Sequence, residues 1–251
     1  MDFLHEKSER VSMAIIKYIK KKLGSEKKFL PERIEVDPSN TFNSEELKVI
    51  NLLNYTKKSG ATYSGELYNS GYHTLQLGDK TLVGQRNPSE RFKNIPYDFT
   101  GKTVLDIGSN QGGMLHACAD RIKQGIGIDY DSKMVNVANK IKSFSKNQHL
   151  QFYVFDLEKE NLSYIKDLLP GNGVDISFLL SVCMWLKNWK EVIDFVKSIS
   201  THLLFESNGS VAQQEEQIDY LKSNYKEVHL INEVSDDDPL QKNRKLLLCS
   251  N

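Results

Sequence analysis

Short apolar runs and amphipathic stretches alternate along the central and C-terminal parts of the chain. The apolar runs predict buried strands, and apolar residues recurring every three or four positions predict helices between them. The predicted strands are 103–107, 125–129, 150–155, 175–180, 203–205, 226–231 and 245–249. The predicted helices are 112–121, 132–143, 161–169, 189–199 and 211–223. This alternation indicates an α/β fold with a parallel sheet. The last two strands have no helix between them, so they must pair antiparallel or lie apart.

The N-terminal region has a different pattern. Helical periodicity predicts a helix over 1–24, and a Pro-containing connection follows over 25–42. Asn43 is the expected cap of a second helix that runs to about Lys58. Residues 71–84 alternate on both sides of Gly78-Asp79, which predicts a β-hairpin. We predict a domain boundary near residue 98, with 1–98 as helices and hairpin and 99–251 as the α/β domain. The N-terminal helices would act as a lid or a dimer contact.

Composition narrows the function classes. The 251 residues carry 33 Lys and Arg and 33 Asp and Glu, so the formal charge is zero and does not favour a nucleic-acid partner. Three distant cysteines lack metal-ligand spacing, and no metal is expected. Their odd number and the lack of a signal peptide predict a cytoplasmic protein. The longest apolar run, 176–186, is too short to cross a membrane.

The stretch from Thr103 to Met114 predicts a strand, a glycine loop and a helix start, as in a nucleotide-binding βαβ unit. Its exposed N–H groups favour an electron-rich ligand group. A dinucleotide site needs a second glycine where Asn110 stands. Asp106 would repel a pyrophosphate and suits a cationic group. S-adenosylmethionine has an α-ammonium group and no phosphate, so it fits this loop better.

The pattern Asp106-x-Gly108-x-x-x-Gly112, with the terminal strand pair, resembles the Rossmann-like class I methyltransferases. The resemblance implies a seven-stranded, mostly parallel sheet with an antiparallel last strand and helices on both faces. It also implies S-adenosylmethionine as cofactor and S-adenosylhomocysteine as product.

Residues after the first strands are the candidate cofactor ligands, because ligands of open α/β sheets bind beyond the carboxyl ends of the strands. Asp129 would accept from the ribose hydroxyls, Tyr130 would cover the adenine, and Asp156-Leu157 would bind its amino group and a ring nitrogen. A helix cap is the alternative role for each acid. The predicted cofactor-binding residues are Asp106, Gly108, Ser109, Asn110, Gly112, Asp129, Tyr130, Asp156, Leu157 and Ser181.

The hairpin from Tyr72-His73-Thr74-Leu75 to Gly84-Gln85-Arg86, followed by Glu90-Arg91, looks like a narrower group. These are bacterial methyltransferases related to the tRNA wobble-uridine enzyme, which transfers a carboxymethyl group; many of them act on small molecules. A carboxylated cofactor is therefore an open alternative.

The sequence contains fewer features that indicate which residues bind the methyl acceptor. His73 and Glu206 are the candidate catalytic bases, and Tyr72, Arg86, Arg91 and Trp185 are the candidate substrate-binding residues. The arginines could bind an anionic acceptor or the methionine carboxylate, or form a surface salt bridge to Glu90 or to an acid of the core. The alternatives are an exposed strand histidine for His73, a cap for Glu206 and packing for Trp185.

We predict an S-adenosylmethionine-dependent methyltransferase that acts on an oxygen of a small polar metabolite. A sugar- or phosphoryl-bearing intermediate of surface-glycan or natural-product assembly is the preferred acceptor. A tRNA methyltransferase, an NAD-dependent oxidoreductase and a cofactor-binding module without catalysis are the alternatives. No membrane partner is expected, and a homodimer is left open.

Overall fold

The structure, a computed structural model, describes residues 42–56, 70–235 and 243–251. The predicted helix over 1–24 and most of the connection that follows it lie outside the described residues. So does Asp236-Asp237-Asp238-Pro239, which the sequence predicts to be a loop. No helix in the described parts of the chain has the length and hydrophobicity that a membrane span requires. All three cysteines are buried and free.

The predicted second helix is confirmed. Helix α1 covers Ser44–Thr56. The side-chain oxygen of Asn43 accepts hydrogen bonds from the backbone N–H groups of Glu45 and Glu46, both at 3.0 Å. The Glu46 carboxylate accepts from the Asn43 N–H at 2.8 Å. This reciprocal capping box starts the helix at the position that the sequence indicates.

Four short strands follow: β1 (Gly71–His73), β2 (Leu75–Leu77), β3 (Lys80–Leu82) and β4 (Gly84–Arg86). Strands β2 and β3 form the predicted hairpin, in which Leu77 pairs with Lys80 across Gly78-Asp79. Strands β1 and β4 pair in parallel. A Cβ at Gly84 would lie 2.2 Å from the carbonyl carbon of His73, so only glycine lets the two strands come this close.

The central sheet has seven strands in the order β10-β11-β9-β8-β5-β6-β7. They are β5 (Thr103–Ile107), β6 (Gln124–Asp129), β7 (Leu150–Val154), β8 (Val174–Leu180), β9 (Ser200–Glu206), β10 (Glu227–Asn232) and β11 (Leu246–Ser250). Strand β11 runs antiparallel between β9 and β10, and the pairs from β9 to β7 are parallel. The predicted sheet and its antiparallel last strand are confirmed.

Six further α-helices are described. They are α2 (Pro88–Phe92), α3 (Gly113–Ala117), α4 (Ser132–Ser145), α5 (Ile165–Leu168), α6 (Trp189–Ile199) and α7 (Val211–Asn224). Helix α3 is shorter than the predicted 112–121, because the backbone leaves the helical region at Cys118, where φ is −115°. The predicted helix over 161–169 begins as a 3₁₀ turn, Leu162–Tyr164, before α5.

Alternating residues of the central strands face two separate cores. Leu105 and Ile107 of β5 pack with α6 and α7 on one face, while Val104 packs with α3 and residues around Phe92 and Phe99 on the other. Because successive side chains of a strand point to opposite faces of the sheet, both faces are apolar and both are covered by helices.

A third core joins the N-terminal region to the α/β domain. Val49 and Leu53 of α1 and Leu75 and Leu77 of β2 pack with residues of α4, among them Ile141. The boundary near residue 98 stays a prediction.

Candidate active site

The loop after β5 depends on two glycines with left-handed backbone angles. Gly108 has φ +76° and Gly112 has φ +72°. A Cβ at Gly108 would lie 2.7 Å from the Val182 side chain, and one at Gly112 would lie 2.5 Å from the Phe152 ring. The loop therefore needs glycine at both positions for conformation and for space.

Asn110 replaces the glycine of a dinucleotide motif and still takes a left-handed conformation, with φ +50°. Asparagine tolerates this region better than most residues. The Asn110 N–H donates to one carboxylate oxygen of Asp129 at 2.9 Å, and the Asp131 N–H donates to the other at 2.8 Å. Asp129, a predicted ribose ligand, thus also fixes the shape of the glycine loop.

Asp106 lies at the end of β5 and is 3% exposed. Burial, and secondarily the charge of Asp129, raise the pKa of its carboxyl group to about 8. Its Oδ2 atom, like Oγ of Ser109, is buried and has no hydrogen-bond partner among the described residues. A buried acceptor of this kind normally has a partner, so the site suits a ligand that brings a cationic donor.

The residues after β7 are arranged as a separate turn. The Asp156 carboxylate accepts from the Glu158 N–H at 3.1 Å and pairs with Lys159 at 2.7 Å. The hydrogen bond from Lys159 holds the pKa of Asp156 below its usual value. Leu157 is buried, whereas Tyr130, which follows β6, is 70% exposed. Asp156 therefore caps a turn rather than a helix, and its adenine role stays a prediction.

Glu206 ends β9 and is the centre of a buried polar cluster. The Arg86 guanidinium donates to both carboxylate oxygens, at 2.9 and 3.2 Å, and Arg91 donates at 2.6 Å. Ser181 and Ser235 donate through their hydroxyls. The side chains of Arg86 and Arg91 are 2% and 7% exposed, so these are core ion pairs rather than surface ones. A carboxylate that accepts this many hydrogen bonds is poorly placed to act as the predicted base.

Arg244 adds a third guanidinium to this cluster. Its Nη1 atom lies 4.0 Å from the Glu206 carboxylate, and its side chain is 18% exposed. It stands two residues before the first residue of the last strand, Leu246, which pairs with Glu206. Arg244 therefore lies at the carboxyl edge of the parallel strands. Nothing in the local sequence distinguishes it from a surface arginine, because its neighbour Glu206 is distant along the chain.

The loop after β8 begins at Ser181, which has φ +62°. Trp185, in the 3₁₀ turn Cys183–Trp185, is 71% exposed. The contact that a Cβ at Gly108 would make with Val182 shows that this loop adjoins the glycine loop. The structure therefore brings Ser181 and the Glu206 cluster to the same edge of the sheet as the candidate cofactor loop.

His73 is buried and lies against the start of α3, not on an exposed strand surface. A Cβ at Gly113 would lie 2.4 Å from the His73 ring. The backbone N–H of His73 donates to the side-chain oxygen of Gln111 at 3.2 Å, and the side-chain NH2 of Gln111 donates to the carbonyl oxygen of Ser70 at 3.3 Å. The ring centroid of Tyr72 lies 4.6 Å from that of His73. Sequence reasoning missed the contacts by which Gln111 joins the glycine loop to Ser70 and His73, since glutamine in a loop has no distinctive signal.

A protein-family model described as a methyltransferase domain matches residues 105–203. This match covers the glycine loop, Asp129, Asp156 and the loop after β8. Residues 105–203 therefore carry a methyltransferase domain. The strand order and the antiparallel β11 agree with that fold, and S-adenosylmethionine is the cofactor of this enzyme class. The predicted class is confirmed, and the narrower tRNA-related resemblance stays a prediction.

Solved structures share this fold at low sequence identity. The N-terminal domain of EvdMO1 with SAH bound has a TM-score of 0.56 and 9% identity, over 85% of this chain and 99% of that one. The same domain in the presence of SAH and D-fucose has a TM-score of 0.51 and 9% identity, over 65% and 82%. The bifunctional kinase-methyltransferase WbdD has a TM-score of 0.52 and 17% identity, over 67% and 41%.

This chain spans about 40% of the length of the EvdMO1 chain and 41% of that of the WbdD chain. No curated protein matches the sequence significantly.

Proposed function

We propose that this methyltransferase domain methylates an oxygen of a small polar acceptor that carries a sugar or a phosphoryl group. One observation supports an anionic acceptor above all. Arg86, Arg91 and Arg244 converge on Glu206 at the sheet edge where the cofactor loop lies. Guanidinium groups bind phosphate and carboxylate oxygens through paired N–H donors. Glu206 orients Arg86 and Arg91, and Arg244 is the most accessible of the three.

Asp106, Ser109 and the backbone of the glycine loop are the groups that we propose hold the cofactor. The buried Asp106 carboxyl matches the α-ammonium of S-adenosylmethionine, and Asp129 matches the ribose hydroxyls. The bound cofactor supplies a methyl group that its sulfonium has already activated. The protein has to hold the acceptor oxygen in line and exclude water, so most of the rate comes from positioning.

The need for a base depends on the acceptor oxygen. A phosphate or carboxylate oxygen is already an anion and needs none, whereas a hydroxyl needs a proton acceptor. For a hydroxyl acceptor we propose His73, because the lone pairs of Glu206 already accept hydrogen bonds from Arg86 and Arg91.

Trp185 would bind the apolar face of a sugar ring. Its indole is exposed at the site edge, and a rigid aromatic surface buries much area at low entropic cost. The presence of D-fucose in the EvdMO1 crystals makes a neutral sugar a useful acceptor probe beside a sugar phosphate.

The test is transfer of a labelled methyl group from S-adenosylmethionine to D-fucose, glucose 1-phosphate and unmodified tRNA. We expect methylation of the sugar phosphate, with a KM that rises about tenfold or more in Arg244→Gln because a charge-assisted contact is lost. Arg121→Gln is the matched control, since Arg121 pairs with its exposed neighbour Asp120. Methylation of tRNA alone, or an unchanged KM in Arg244→Gln, would contradict the proposal.

A further inference from the structure

The conformation of Ser181 is unusual for its residue type. Its φ of +62° lies in the left-handed region, which disfavours residues other than glycine. Such a conformation persists only where the surroundings hold it, and such residues cluster at functional sites. Ser181 begins the loop that carries Met184 and Trp185 at the candidate active site.

Glu206, the last residue of β9, and Asn208, two residues further on, hold Ser181 from both sides. The Ser181 N–H donates to the carbonyl oxygen of Glu206 at 3.1 Å. The Asn208 amide donates to the carbonyl oxygen of Ser181 at 2.5 Å. The Asn208 side-chain oxygen accepts from the Met184 N–H at 3.0 Å. One asparagine side chain therefore fixes the loop at its first residue and at Met184.

Asn208 is itself held by a second amide. Gln217 of α7 accepts from the Asn208 N–H at 3.1 Å and donates to the Asn208 carbonyl at 3.0 Å. Asn208 is fully buried and Gln217 is 2% exposed. Buried hydrogen-bonded amides of this kind are rigid, because any movement leaves a desolvated donor or acceptor without a partner.

We propose that Asn208 is a positioning residue that keeps Ser181 in its left-handed conformation and so fixes the loop Ser181–Trp185 against the cofactor and acceptor. This inference rests on the proposed function, because it assigns the loop to that site. The Ser181 hydroxyl also donates to Glu206. By fixing Ser181, Asn208 therefore also helps to orient the carboxylate that binds Arg86 and Arg91.

The test is a double-mutant cycle of Asn208→Ala and Ser181→Gly. Glycine takes a positive φ without support, so Asn208 should matter less once Ser181 has been replaced. We expect Asn208→Ala to weaken S-adenosylhomocysteine binding about tenfold in the native background and less than threefold in the Ser181→Gly background. A purely structural role would give equal losses in both. Asn224→Ala, which removes a hydrogen bond from a side-chain amide to Tyr220 O at the far end of α7, is the control.

Hydrogen exchange of the Met184 amide supplies a readout that needs no ligand. We expect Asn208→Ala to speed this exchange at least tenfold, and Asn224→Ala to leave it unchanged. Gln217→Ala should shift exchange in the same direction, and it replaces Asn208→Ala if that variant does not fold. Equal losses of affinity in both backgrounds, or unchanged Met184 exchange, would overturn the inference. If the native protein does not bind S-adenosylhomocysteine, the proposed function fails and Met184 exchange alone decides the role of Asn208.

Discussion

At the scale of single residues, the most informative group is the Asp106 carboxyl. Its pKa of about 8 means that most of it is protonated at neutral pH in the free protein. An ammonium group beside it would stabilise the carboxylate and lower this pKa. Cofactor binding at pH 7 should therefore release a proton, because a group protonated before binding becomes ionised afterwards.

We predict that S-adenosylhomocysteine binding at pH 7 releases close to one proton per site, and that Asp106→Asn abolishes this release and weakens binding about tenfold or more. Calorimetric titrations in buffers of different ionisation enthalpy measure the number of protons directly. Asp131→Asn is the control, because the Asp131 carboxylate only caps α4. Proton release of equal size in Asp106→Asn would assign the titrating group elsewhere.

The sequence is sufficient to predict a residue's role when its important neighbours lie close to it along the chain. Gly108, Gly112 and Asp106 stand in one motif, and their expected surroundings follow from the strand–loop–helix pattern. The sequence does not determine the ion-pair partner of Arg86 and Arg91, because Glu206 is 120 and 115 residues away from them along the chain. Asn208, Gln217 and Arg244 could not be found, since their contacts form only when the loops after β8 and β9 and the start of β11 meet.

At the scale of elements, β1 and α3 meet where the His73 ring packs against Gly113. The His73 ring fills the space that a side chain at Gly113 would need, at 2.4 Å from the ideal Cβ position. This contact attaches the N-terminal strands to the helix that follows the cofactor loop.

Gly113→Ala should therefore push β1 away from α3 and lower the stability by about 1–3 kcal/mol, the usual cost of overpacking. Thermal unfolding followed by circular dichroism measures the loss. Gly171→Ala is the matched control, because no atom lies within 4 Å of its ideal Cβ position. Equal melting temperatures for the two variants would show that the His73 ring moves aside without a loss of stability.

The pattern of the chain predicted the order and type of most elements, and their ends less well. Strand β9 covers Ser200–Glu206, beyond the predicted 203–205. Its polar first residues gave no strand signal. They join the sheet because β8 and β11 pair on both sides of it, for instance at Ser200 and His202. Tertiary pairing of this kind overrides local propensity.

At the scale of the whole molecule, Glu206 ties the N-terminal region to the sheet. Its carboxylate is buried and binds Arg86 of β4 and Arg91 of α2. Removing one partner of a buried ion pair leaves the remaining charges without compensation, which typically costs about 3–5 kcal/mol.

Glu206→Ala should accordingly lower the free energy of unfolding by about 3–5 kcal/mol, as measured by denaturant titration. Glu90→Ala removes an exposed pair with Lys93 and should change stability by less than about 1 kcal/mol. A stable Glu206→Ala variant that has lost only turnover would instead support the role of Glu206 as a base.

The central claim is that the glycine loop binds S-adenosylmethionine rather than a dinucleotide. A calorimetric titration of the purified full chain with S-adenosylhomocysteine, with NADH as the control ligand, tests it most directly. We predict binding of S-adenosylhomocysteine only, and a large loss of affinity in Asp129→Ala, because the Asp129 carboxylate shapes the loop and is the proposed ligand of the ribose hydroxyls. Binding of NADH, or of neither ligand, would contradict the account.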